Sequence, residues 1–134
     1  MSDVLTAKAL GDGVRAALSS VRSHLAARLA PGGKLDNAAF EAAQPEAFGL
    51  ARAWALLAAT DALADWARRG KDHEGRIAAT FAALTAAEIA GWAQVRGPAL
   101  GLTGAFLTPD LLALTASGLD SGTLGGLGAA IIDR

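Results

Sequence analysis

The chain has 134 residues, with 12 basic and 13 acidic side chains, a net charge of −1 and no cysteine. That length suits one domain, which buries about 68–70% of its unfolded surface without a metal or disulfide staple. Balanced charge without a basic stripe argues against nucleic-acid binding, and the lack of Cys removes disulfides, thiolate nucleophiles and Cys-bound zinc.

Hydrophobic residues make up 52% of the chain and charged residues 19%, with much alanine, few aromatics and no tyrosine. β-Branched residues are also sparse, so a large sheet is disfavoured and an all-α fold is expected. Met1 to Leu10 carries Asp3 and Lys8 and has no apolar signal-peptide core. A cysteine-free chain of this kind fits the cytoplasm.

A first helix is predicted from Leu5 or Asp12 to Leu29. Val14, Leu18, Val21, Leu25 and Leu29 recur at steps of four and three, which is one apolar helix face. Arg15, Arg22 and Arg28 fall off that face, and Pro31-Gly32-Gly33 stops the helix. Asp36 is a suitable N-cap for one or two turns over Asp36 to Ala43. Pro45 lacks an N–H, and its ring would clash with the Glu41 carbonyl in a continuous helix. Either the helix kinks there or a new one starts with Pro45 in its first turn.

Ala47 to Ala67 is expected to be the helix around which the others assemble. Phe48, Leu50, Trp54, Leu56, Leu57, Leu63 and Trp66 sit among alanines and point almost all around the helical wheel. A helix apolar on all sides is usually buried. The run has the length of a membrane span. However, Arg52, Asp61 and Asp65 lie inside it, and such charges cost about 2.5–3.5 kcal/mol each at a bilayer centre. No membrane association is therefore expected. Arg68 and Arg69 suit the C-terminal dipole, and Gly70 follows as a cap.

The next helix spans about Asp72 to Arg96. Ile77, Phe81, Leu84, Trp92 and Val95 step by three and four as its apolar face, with Glu88 filling the vacant place. Gly97-Pro98 ends it. Thr108-Pro109-Asp110 starts a short helix to about Ser117, expected to bury Leu111, Leu112 and Leu114. The division is a helical bundle over residues 1–119 and a Gly-rich apolar tail or linker over 120–134. Gly122, Gly125, Gly126 and Gly128 disfavour a stable helix before Ala129, although a last short helix remains the alternative to a loose tail. The expected architecture is a small antiparallel bundle of three main helices plus a short fourth and that tail. Its expected core includes Leu50, Trp54, Leu57, Phe81, Leu84 and Trp92.

Few residues offer chemistry. His24 and His73 lie on different helices with no metal-ligand spacing, and both read as surface residues. Gly125-Gly126-Leu127-Gly128 fits no phosphate-binding pattern and no strand precedes it. Glu88 is the one catalytic candidate: a base in a cleft, raised by desolvation. The plainer reading is a buried ion pair with Arg52, the odd cation of the preceding helix. Trp54, Trp66 and Trp92 could line a pocket but read more simply as core.

Leu35-Asp36, Gln44, Gly49-Leu50-Ala51-Arg52-Ala53-Trp54 and Asp65-Trp66-Ala67 resemble helical segments of the acyl-CoA dehydrogenase superfamily. The nearest likeness is to the N-terminal helical extension of methylsuccinyl-CoA dehydrogenase-like members, over about Val14 to Leu119. Gly101-Leu102-Thr103-Gly104 stands where that extension has a short Gly-containing loop. The superfamily's middle β-domain, flavin-contacting segments and catalytic base have no counterpart here, and Glu88 does not match that base. The resemblance implies a non-catalytic domain that binds no cofactor itself, with FAD in the parent enzyme. Its implied partner is that enzyme's catalytic body or a homo-oligomer. The apolar run before Asp133-Arg134 fits a domain continued by further chain. Such a domain would show an exposed apolar patch on the fourth helix and tail. A free-standing interaction module, as a homodimer through that same patch, is the second possibility. The third is a small-ligand binder, which would need an enclosed cavity of about 300 Å³ or more beside Glu88.

Overall fold

The computed structural model describes residues 1–132 and is all-α, with no strand among the described residues. Its helices are α1 (Asp3–Leu29), α2 (Asn37–Ala42), α3 (Gln44–Ala67), α4 (Asp72–Arg96), α5 (Pro109–Gly118) and α6 (Ser121–Ile132), with a single 3-10 turn at Gly97–Leu100.

Local chemistry sets these boundaries. The Ser2 hydroxyl accepts from the Leu5 N–H and caps α1, which therefore starts earlier than its apolar face suggests. The Asp36 carboxylate accepts from the Ala39 N–H at 2.8 Å and caps α2. Between α2 and α3 the backbone leaves the helical region at Ala43, and Pro45 sits in the first turn of α3. The new start, rather than a kink, is what forms. The Glu74 carboxylate accepts from the Lys71 N–H at 2.7 Å at the head of α4. The Thr108 hydroxyl accepts from the Leu111 N–H at 3.3 Å and opens α5.

α1, α3 and α4 form the body of the bundle. Arg15 meets Asp61 and Arg22 lies over the Trp54 ring, so α1 and α3 run antiparallel. Arg52 meets Glu88 and Glu46 meets Arg96, so α3 and α4 do too. Asp3 lies against Gly75 and Arg28 reaches the Ala99 carbonyl, so α1 and α4 run parallel. α5 packs on α4 and α1, and α6 on α4 and α5.

The most enclosed helix is α4, which has more buried residues than any other and packs on α1, α3, α5 and α6. This corrects the expectation for Ala47 to Ala67. On α3 only Glu46, Ala53, Leu57, Thr60 and Ala67 are buried, and Phe48 is 64% exposed. The inward face of α4 also differs from expectation. Ala78, Ala82, Ala86, Ile89 and Ala93 are buried, whereas Leu84 is 53% and Val95 81% exposed. A row of alanines lets neighbouring helix axes come close on several sides, which a row of large side chains would prevent.

Of the six expected core residues, Leu57 is buried, while Leu50, Trp54 and Trp92 are half-buried and packed against the core. Phe81 is half-buried outside that cluster and Leu84 is exposed. On α5, Leu111 and Leu114 are half-buried and Leu112 faces solvent. The expected tail is helical from Ser121, because the Asp120 carboxylate accepts from the Thr123 N–H and hydroxyl, both at 2.9 Å. That local cap offsets part of the glycine penalty. Asp133 and Arg134, the end of that segment, lie outside the described residues.

Buried polar groups are matched. Among the described residues no buried side-chain nitrogen or oxygen lacks a hydrogen-bond partner. Thr60 and Thr115 donate to the carbonyls of Leu56 and Leu111, at 3.0 and 2.8 Å, as buried helical threonines commonly do.

Candidate functional site

Two rows of side chains run side by side along the outer surface of α3 and α4. On α3, Phe48, Arg52, Ala55, Ala59, Ala62 and Trp66 recur at alternating steps of four and three. Such a spacing keeps all six on one face. On α4 the matching row is Ile77, Phe81, Leu84, Glu88, Trp92 and Val95. Each α4 residue in this row is half-buried or exposed. Arg52 and Glu88 are the only charges in the two rows and tie them together, at 2.5 Å.

The structure thus brings Arg52 and Glu88 together on the surface, with side chains 72% and 46% exposed. The expected setting was a buried one, which would make loss of either partner cost about 3–5 kcal/mol. An exposed pair contributes about 0.2–1 kcal/mol. Beside it, Gly49, Arg52, Ala53, Leu56, Glu88, Ile89 and Trp92 line a half-open recess of about 150 Å³. Small-molecule sites usually span about 300–1,000 Å³. The recess is a groove between helices, and the charged group that faces Glu88 in it is the Arg52 guanidinium. Among the described residues no group of three or more His, Asp or Glu side chains is placed to hold a metal.

Trp54 and Trp92 are half-buried, and Trp66 is exposed at the end of the α3 row. His24 is exposed, with its ring against Gly101. His73 differs from its expected solvated state: its side chain is largely covered and meets Glu74 at 2.6 Å, in a recess that Ala130 of α6 also lines.

Sequence reasoning missed the outward row on α3, although its four-three spacing was present to be counted. It also missed Glu46, a buried carboxylate in the first turn of α3, paired with Arg96 at 3.4 Å. An acid near a helix N-terminus is such a common sight that nothing in the sequence marks this one as buried.

A second apolar surface lies on α5 and α6, where Leu112, Leu124, Ile131 and Ile132 are exposed. α6 carries no charged side chain and has no buried residue. Among the described residues one helix, α3, is long and apolar enough to cross a membrane by length and composition. Comparison with protein-family models, curated proteins and solved structures gives no match in any of the three.

Proposed function

We propose that this chain is a non-catalytic helical packing domain that joins larger parts through apolar surface. The observation that carries the reading is α6: twelve residues, Ser121–Ile132, without a charge and without a buried side chain. Such a short, glycine-rich helix has little stability of its own. Exposed apolar surface on a folded domain marks a place where something else sits.

The resemblance to the helical extension of acyl-CoA dehydrogenases supplies the partner. The body that covers α5 and α6 is then the catalytic part of an FAD-dependent acyl-CoA dehydrogenase in the cytoplasm, and the flavin is held there. A free-standing interaction module is the second reading, favoured by the separate apolar face on α3 and α4.

The test mixes this chain with an FAD-loaded acyl-CoA dehydrogenase from the same source and follows flavin absorbance by sedimentation. Co-sedimentation of chain and flavin is expected, and it is lost in the Leu124→Asp/Ile131→Asp variant. Independent sedimentation at every ratio would overturn the flavoenzyme partner. Identical co-sedimentation of the variant would overturn the α6 surface.

A further inference from the structure

We propose that the outer face of α3 and α4 is an isologous contact with a second copy of this chain, in which each Arg52 pairs with the Glu88 of the other copy. The inference rests on the reading of the chain as a packing domain, but it uses a surface separate from α5 and α6.

On α4, Leu84 and Val95 face outward, while Ala78, Ala82, Ala86 and Ala93 face inward with Ile89. Leu84 and Val95 therefore give nothing to the interior of a single copy, and Phe48 in the α3 row is likewise exposed. The two rows belong to antiparallel neighbouring helices. A second such hairpin laid on them gives a four-helix layer, the arrangement that covers this kind of face. The alanines of the α3 row keep it low. A side chain built at Gly91 on the exposed side of α4 would meet nothing within 4 Å, so an opposing helix can approach closely.

Charge selects the occupant. The face holds one cation and one anion, 2.5 Å apart and both exposed. A two-fold axis beside the pair sets Arg52 over the partner's Glu88 and Glu88 over the partner's Arg52. Self-complementarity of this kind is what a two-fold contact requires. A strongly acidic or basic partner would leave one of the two charges opposed by its like.

Charge reversal tests the exchange, with oligomeric state read by sedimentation equilibrium and folding by circular dichroism. Wild-type chain is expected to dimerise at micromolar concentration. Arg52→Glu alone and Glu88→Arg alone each create two like-charge contacts between the copies, besides one within each copy, and each should weaken self-association about a hundredfold or more. Both remain folded, because the pair is on the surface. Mixing the two variants should restore a dimer, since each 52–88 contact between the copies is then between opposite charges. A monomeric wild type overturns the inference, as do single variants that dimerise like wild type, or a mixture that stays monomeric. Flotation of the chain with phosphatidylcholine vesicles, without a dimer, overturns it in favour of a lipid surface. A monomer that still binds the flavoenzyme through α6 overturns this inference alone and leaves the packing reading intact. A dimer without flavoenzyme binding does the reverse.

Discussion

The indole of Trp92 packs against Gly49, so close that a Cβ added at residue 49 would overlap Nε1 and the adjoining ring carbons. Glycine inside a helix ordinarily costs about 1 kcal/mol relative to alanine. Here it is what lets α3 and α4 meet around the Trp92 ring. Gly49→Ala is therefore expected to destabilise the chain by about 1–3 kcal/mol despite the better helix propensity. A urea midpoint shifted down, at unchanged slope, is the expected result. A shift upward would mean that the indole has free room to move.

The reversed sidedness of α4 gives a paired prediction. Ala82 is buried on the inward face, so Ala82→Leu overfills it and should cost about 1–3 kcal/mol. Leu84, two residues on, faces out, and Leu84→Ala should stay within about 0.5 kcal/mol in dilute solution. Thermal unfolding of both variants checks the pair. Equal losses, or a larger loss at Leu84, would restore the face expected from hydrophobic spacing.

Gly101 closes the 3-10 turn with φ of 72°, and its α-carbon faces the His24 ring. Any other L-residue there meets both left-handed backbone strain and a steric overlap. Gly101→Ala should cost about 1–2 kcal/mol from the backbone alone. In the His24→Ala background the overlap disappears and only the backbone part should remain. A double-mutant cycle separates the two contributions.

Asp120 makes the start of α6 sensitive to acid. The backbone N–H of Thr123 and then its hydroxyl hold the Asp120 carboxylate below its usual range. A lowered value in the folded chain means that the ionised form is the one bound. Its contribution is full above the unfolded value and disappears as pH falls through the folded one. Amide chemical shifts of Thr123 and Leu124 should therefore move toward random coil on acidification. Asp120→Asn keeps an acceptor and should remove the pH dependence. A titration unchanged in that variant would assign the transition to another group.

The first helix was legible because its large residues and its interior coincide: Val14, Leu18, Val21 and Leu25 are all buried. The fourth was not, because hydrophobic spacing ranks side chains by size and bundle interiors also select for closeness. Ala78, Ala82, Ala86 and Ala93 carry no signal on a scale that rewards Ile77 and Phe81. α6 was hidden by its glycines, whose propensity penalty is real but is offset by a cap and by neighbouring helices. Arg52 and Glu88 could be matched as isolated opposite charges, yet their exposure depended on how α4 is rotated about its own axis. Glu46 needed that same rotation, since Arg96 closes over it from the far end of α4.

Because α4 touches four other helices, its amides from about Ala78 to Ala93 depend on all of them at once. Hydrogen exchange there should occur only when the entire bundle comes apart, so those positions report global unfolding. α2 packs on α1 and α3, and α6 rests on the margin of α4 and α5. Both can open while the remainder holds, which sets an order of loosening from the periphery toward the α1–α4 pair.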